Sequence, residues 1–265
     1  MARILLATDL SEQAMHAACY AVELFGPTNT FVLLHTYVED LMLLGKGEDE
    51  AKAAGSGLHE HAERFLRATG LESVQRQVRI GQVASVLGEV VRKREVDLVV
   101  MGNRGAAGST FFFGSNTADV IKSSLVSALA VPESAAIQRP KRILLAADQG
   151  TTEPRDLHML RHIAQMNDAE VLFGHVSTHT GARPPLANAE VYERAFEGIP
   201  HSFHHEQSED LIDGLEQLAQ RERVDMIAVL HRHVGFLGRL LHPSASKEIA
   251  ERIDLPLLVL QQVAQ

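Results

Sequence analysis

Arg3-Ile4-Leu5-Leu6-Ala7-Thr8-Asp9, at the start of the chain, returns as Arg142-Ile143-Leu144-Leu145-Ala146-Ala147-Asp148. Each copy is an unbroken apolar run set between an arginine and an aspartate. A run without in-out alternation is how a strand reads when both faces of a parallel sheet are covered. Three further blocks repeat in the same order. Val32-Leu33-Leu34-His35 is echoed by Val171-Leu172-Phe173-Gly174-His175, with one residue inserted. Val96-Asp97-Leu98-Val99-Val100 returns as Val224-Asp225-Met226-Ile227-Ala228-Val229, and Ser127 to Val131 as Pro256 to Leu260. One repeat of this length means two similar domains rather than a solenoid of short units. Pro132, Ser134, Gln138 and Pro140 mark the linker. The expected domains are residues 1–137 and 141–265.

Amphipathic stretches lie between the apolar blocks. Ala14, Ala18, Ala21, Val22 and Phe25 share a helical face after Ser11, which reads as an N-cap followed by Glu12. Leu58, His61, Phe65 and Leu66 share another before Gly70, which reads as a C-cap. Val83 to Val91 and Ala118 to Leu125 read as a third and a fourth helix. The order β-α-β-α-β-α-β-α-β gives an α/β fold: two tandem doubly wound domains. Each is an open, mostly parallel five-stranded sheet with helices on both faces.

The bulk numbers agree. The 265 residues suit two ordinary domains, and 45% hydrophobic content supports a packed core. A net charge of -9 disfavours a nucleic-acid binder, which carries a basic patch. The single cysteine, Cys19, excludes an internal disulfide and fits a reducing compartment. No apolar run reaches the ~18 residues of a membrane span. A cytoplasmic protein without membrane contact is expected.

In such sheets ligands sit at the carboxyl ends of the strands, where strand order reverses. Asp9 ends the first strand there. Its carboxylate can accept from ribose hydroxyls, or it can cap the helix that follows, and position alone does not choose. Gly102-Asn103-Arg104-Gly105-Ala106-Ala107-Gly108 follows the strand Leu98 to Met101, and Gly114-Ser115-Asn116-Thr117 opens the next helix. Glycines let a backbone approach an anion, and a helix N-terminus adds its dipole. No Gly-Lys-Ser/Thr follows, so this is not a Walker loop. The first strand-helix turn has no glycine, which excludes the usual dinucleotide fingerprint.

Together these residues resemble the universal stress protein family: Ile4 to Ser11, Leu33-Leu34-His35, Val96 to Gly105, then Gly114-Ser115. The likeness covers the first half and, more loosely, the second. It implies the fold inferred above and, in many members, ATP binding. The family motif runs Gly-x-x-Gly, nine residues, then Gly-Ser/Thr. Carried over by position, it assigns phosphate and ribose contacts to Gly102, Gly105, Gly114, Ser115 and Asn116. Asp9 takes the family's acidic position on the first strand. Ala7 and Thr36 lie beside the adenine, and Met101 lies under the nucleoside. The implied ligand is ATP, with or without Mg. The chain departs from the motif once: eight residues, not nine, separate Gly105 from Gly114. Phe111-Phe112-Phe113 within that span reads as core or interface packing.

The second half has lost the motif. Leu230 and His233 stand for Gly102 and Gly105, and His242-Pro243 for Gly114-Ser115, while Asp148 survives. Side chains there fill the phosphate space, and proline removes a donor. The second half is expected to pair intramolecularly with the first, as single-domain members pair by dimerising; exposed terminal strands also allow a homodimer. Fourteen histidines raise the question of metal. His231, His233 and His242 cluster by sequence; His158 and His162 share a helix face; His201, His204 and His205 sit near the strand Ser202 to Glu206. None supplies a full ligand set, and they read as surface or loop histidines. No base stands in the glycine loop, so at most weak ATP hydrolysis is expected. The alternatives are a family member that binds partners but no nucleotide, and an ATP-pyrophosphatase relative, whose glycine-rich first loop is missing here.

Overall fold

A computed structural model describes residues 2–38, 47–93, 95–103, 126–147, 150–178, 188–231 and 254–262. Its contacts divide the chain into two units, Met1–Ile137 and Gln138–Gln265.

In unit 1 the strands are β1 (Arg3–Thr8), β2 (Thr30–Tyr37), β3 (Gln75–Ile80), β4 (Leu98–Gly102) and β5 (Ser127–Val131). The helices are α1 (Glu12–Phe25), α2 (Gly47–Thr69) and α3 (Val83–Arg92). The sheet order is β3-β2-β1-β4-β5, and every pair is parallel. The chain steps outward from β1 to β3, then crosses back to β4, so strand order reverses between β1 and β4. With right-handed crossovers, that reversal sends the later connections to the opposite face. Helices α1 and α2, made before it, pack against each other.

Unit 2 holds β6 (Arg142–Ala146), β7 (Glu170–Ser177), β8 (His201–Gln207), β9 (Met226–His231) and β10 (Leu257–Gln261). Its helices are α4 (His158–Asn167), preceded by a 3-10 turn at Pro154–Leu157, α5 (Ala189–Ala195) and α6 (Leu211–Arg221). The order β8-β7-β6-β9-β10 is that of unit 1, again all parallel. Each unit is the doubly wound α/β sheet that the unbroken apolar runs imply. Ile4, Leu5, Leu6, Ile143, Leu144 and Leu145 lie at the bottom of the two cores, all but sealed from solvent.

Helix boundaries follow the local chemistry. Ser11 caps α1, its Oγ accepting from the Ala14 N–H at 3.1 Å. Gly70 ends α2 at φ +71, where its N–H reaches the Leu66 carbonyl at 2.9 Å. The proposed fourth helix, Ala118 to Leu125, lies outside the described residues.

One detail of the repeat is corrected by the register. Arg3 pairs Thr30 and Thr8 pairs His35, while Arg142 pairs Glu170 and Ala146 pairs Gly174. Counted from the two arginines, Phe31 matches Val171, Leu34 matches Gly174 and His35 matches His175, with nothing inserted. A uniformly apolar strand looks the same after a one-residue slip, so its sequence does not fix its register.

Gly174 thus stands where unit 1 has leucine. A Cβ there would come 2.5 Å from Leu218 on α6 and 2.6 Å from Leu144 on β6. Glycine admits a close helix-sheet approach in unit 2. Gly174→Ala is expected to destabilise the second unit by about 1–3 kcal/mol through overpacking. Urea unfolding of the whole chain measures this.

Candidate functional site

The site is built at the carboxyl ends of β1, β2 and β4, at the reversal point of unit 1. The paired ladder of β1 and β4 runs from Ile4–Leu98 to Leu6–Val100. One residue further stand Ala7 and Met101, both buried. Gly102 closes β4 and is buried as well. Thr36 follows the Thr8–His35 pair on β2 and is half-buried. Asp9 lies half-buried just past β1. Five of the residues named from sequence, Ala7, Asp9, Thr36, Met101 and Gly102, therefore belong to strand ends on one side of the sheet. The other four, Gly105, Gly114, Ser115 and Asn116, lie outside the described residues, as do Arg104 and Phe111 to Phe113.

The turn from β1 into α1 shows how Asp9 is held. Its Oδ1 accepts the Ser11 N–H at 3.1 Å, an Asx turn that leads into the Ser11 cap. Asp9 thus serves the local turn, and the half-buried carboxylate remains at the mouth of the strands. Between Asp9 and Ser11, Leu10 adopts φ +68. A branched L-residue in the left-handed region costs about 1–2 kcal/mol. Two contacts hold it there. The Leu10 N–H donates to Thr8 Oγ1 at 2.9 Å. Its side chain lies over α2 at Gly57, where an added Cβ would sit 2.8 Å from Leu10 Cδ1. Across the reversal point, Gln13 on α1 donates from Nε2 to Asn103 Oδ1, and the Asn103 N–H reaches the Val131 carbonyl at 3.1 Å.

Thr8 is the hub that sequence reasoning missed. Its carbonyl accepts from His35 Nδ1 at 2.9 Å, and its Oγ1 lies 3.1 Å from His61 Nε2. His61 is 2% exposed, and among the described residues its Nδ1 has no hydrogen-bond partner. Burial, then the Arg64 charge, push its pKa below the usual histidine value, while Glu12 and Asp9 pull it up by less. The signal was present in the sequence as a histidine on the apolar face of α2, beside Leu58 and Phe65.

In unit 2 the same strand ends carry different chemistry. His175 Nδ1 donates to the Ala147 carbonyl at 3.1 Å, as His35 does to Thr8, but alanine has no hydroxyl. Leu230 takes the place of Gly102 by register. Asp148, His233, His242 and Pro243 lie outside the described residues, as does the side chain of His231. The remaining histidines have separate partners: His201 with Glu193, His204 with Ser202 and Glu222, and His205 with Ser177. His158 and His162 stack at 6.5 Å on α4. Among the described residues no group of three or more metal-binding side chains occurs. No helix of the described residues is long and apolar enough to cross a membrane.

Comparison with known proteins adds to this geometry. The model of the universal stress protein family matches residues 1–132. The chain belongs to the universal stress protein family. A universal stress protein from Archaeoglobus fulgidus is similar across 99% of this chain and 97% of its own, at 21% identity and TM-score 0.74. A protein from Pseudomonas aeruginosa is similar over 98% of this chain and 93% of its own, at 17% identity and TM-score 0.56. A universal stress protein solved in complex with cAMP is similar over 49% of this chain and 96% of its own, at 22% identity and TM-score 0.38. Among curated proteins none matches the chain. For this universal stress protein, the full-length likenesses establish the fold of both halves.

The buried neutral His61 gives a pH dependence with a definite sign. Its folded pKa is below its unfolded one, so the unfolded chain binds more protons between the two values. The stability contributed by neutral burial is complete above the ordinary histidine pKa of about 6.5 and is lost as pH falls below it. Within that window stability falls with falling pH by no more than ~1.4 kcal/mol per pH unit. Denaturant midpoints measured down the pH scale are expected to fall more steeply for the native chain than for His61→Gln.

Proposed function

We infer that unit 1 binds an adenine nucleotide, ATP, at the carboxyl ends of β1, β2 and β4. The observation that carries this reading is the convergence of Asp9, Ala7 and Met101-Gly102 at the reversal point of a doubly wound sheet, where such folds take their ligands. The donor set fits a nucleoside. A carboxylate at the strand mouth accepts from ribose hydroxyls, and the small Ala7 and side-chain-free Gly102 leave room for a flat base and its sugar. In this reading Ala7 and Thr36 flank the adenine, Met101 lies beneath the nucleoside, and Asp9 holds the ribose. Gly105, Gly114, Ser115 and Asn116 take the phosphates through backbone N–H groups. A Mg ion would arrive with the phosphates, whose oxygens suit it. Unit 2, with Leu230 at the Gly102 position, does not share the site. The function is regulatory or stress-responsive and cytoplasmic, with no nucleic-acid or membrane partner. The chain has two domains, residues 1–137 and 141–265, and a homodimer of such chains fits the exposed edge strands.

The spacing of eight residues between Gly105 and Gly114 favours a second reading, in which the chain binds a partner protein and no nucleotide. One test separates them. Purified protein is denatured and released nucleotide is quantified, with Mg-ATP titration if none is released. Nucleotide near one per chain, lost in Gly114→Val and weakened about tenfold or more in Asp9→Ala, supports ATP binding; that loss equals about 1.4 kcal/mol, within the range of a charge-assisted hydrogen bond. No nucleotide and no binding at millimolar Mg-ATP would establish the second reading.

A further inference from the structure

Thr8 gathers three elements at the mouth of the site. Its carbonyl takes His35 from β2, and its hydroxyl joins His61 from α2 to the N–H of Leu10 in the turn that carries Asp9. Leu10 is held in the left-handed region and also leans on α2 at Gly57. The conformation of the turn is therefore not local. It depends on α2 staying seated, through one hydroxyl and one apolar contact.

His61 is the weak point of that seating. Neutral, it shares one ring nitrogen with Thr8 and leaves the other, Nδ1, without a partner among the described residues. Protonated, it would bury a charge and carry N–H groups on both ring nitrogens, and the one at Nδ1 meets no acceptor among the described residues. The groups around it do not compensate. Arg64 on α2 and His35 on β2 oppose the charge; Glu12 on α1 and Asp9 in the turn favour it but are outweighed. Glu12 is moreover engaged by Arg64 in an exposed ion pair. The link is confined to unit 1, because Ala147 replaces Thr8 at the matching strand end of unit 2.

We propose that His61 is a positioning residue for the ligand site of unit 1: neutral, it locks Thr8 and Leu10 and so sets Asp9, and on protonation it releases the turn and lowers ligand affinity. The effect on affinity rests on the nucleotide reading above; the effect on the turn does not.

The experiment has two arms on the full-length chain. In the first, amide exchange at Leu10 is followed by NMR from pH ~7.5 to ~5, corrected for the intrinsic rate. Protection is expected to fall by about tenfold or more in the native chain and to stay level in His61→Gln, which keeps a nitrogen near Thr8 but does not titrate. Thr8→Val should lose protection at every pH, and Thr8→Ser should restore it. Level protection in the native chain, or an identical fall in His61→Gln, overturns the proposal. In the second arm, Mg-ATP affinity is measured over the same range. The ligand's own titration is common to both proteins, so a steeper fall in the native chain than in His61→Gln is the expected result, and parallel profiles overturn the proposal. Absence of nucleotide binding at pH ~7.5 would refute the nucleotide reading, and the first arm would still decide whether His61 sets the turn.

Discussion

A single carboxylate sets the frame on which the site stands. Asp97, just before β4, accepts the Arg3 N–H through Oδ2 at 2.7 Å and returns its own N–H to the Arg3 carbonyl at 2.8 Å. Asp225 does the same with Arg142, at 2.9 Å in each direction, and also takes the Lys141 N–H at 2.7 Å. The clamp sits at the amino end of the sheet, on the boundary between the first strand and its later neighbour. A slip of one residue there would turn every side chain of β1 to the wrong face. By fixing that register at one end, the clamp determines what meets at the other. Ala7 finishes beside Met101, one residue past the Leu6–Val100 pair, because Arg3 begins opposite Asp97.

The two halves agree where they are clamped and differ where a ligand would lie. Arg3 and Arg142 match, as do Asp97 and Asp225. At the carboxyl ends, Thr8 becomes Ala147, Leu34 becomes Gly174, Thr36 becomes Val176 and Gly102 becomes Leu230. The sheet needs the first set for its register. The second set, Thr36 apart, is buried as well, so these exchanges alter packing and polarity at the strand ends without touching the clamp. The clamp persists while the mouth differs, which is how one fold comes to carry different sites.

Much of this was legible in the sequence. Unbroken apolar runs in repeated order gave two parallel sheets, and Ser11 and Gly70 marked helix ends by their own chemistry. The edge strand β3 was less visible, because Gln75, Arg76, Gln77 and Arg79 replace the apolar signal that a central strand carries. The register of β7 against β6 was misread, since apolar runs tolerate a shift of one. Position alone leaves Asp9 open between a ribose contact and a helix cap; the structure shows its Oδ1 in an Asx turn to Ser11. The bond from His61 to Thr8 spans 53 residues. Its members are ordinary in isolation, a threonine ending a strand and a histidine on an apolar helix face. Only the crossing of α2 over the sheet, where it packs on β2 and β3, brings them together.

Leu10 shows why that crossing matters. Glycine would adopt φ +68 without strain, and the β1–α1 turn would then hold its shape unaided. Leucine pays a steric penalty in that conformation and has to be compensated from outside the turn. The compensation comes from the Thr8 hydroxyl and from α2, where Gly57 has no side chain to obstruct Leu10. A turn stabilised in this way reports on the position of the helix that stabilises it. Asp9, between Thr8 and Leu10, cannot move independently of α2. The residue that looks least suited to its backbone thus joins the strand mouth to Gly57 on α2, more than forty residues away in sequence.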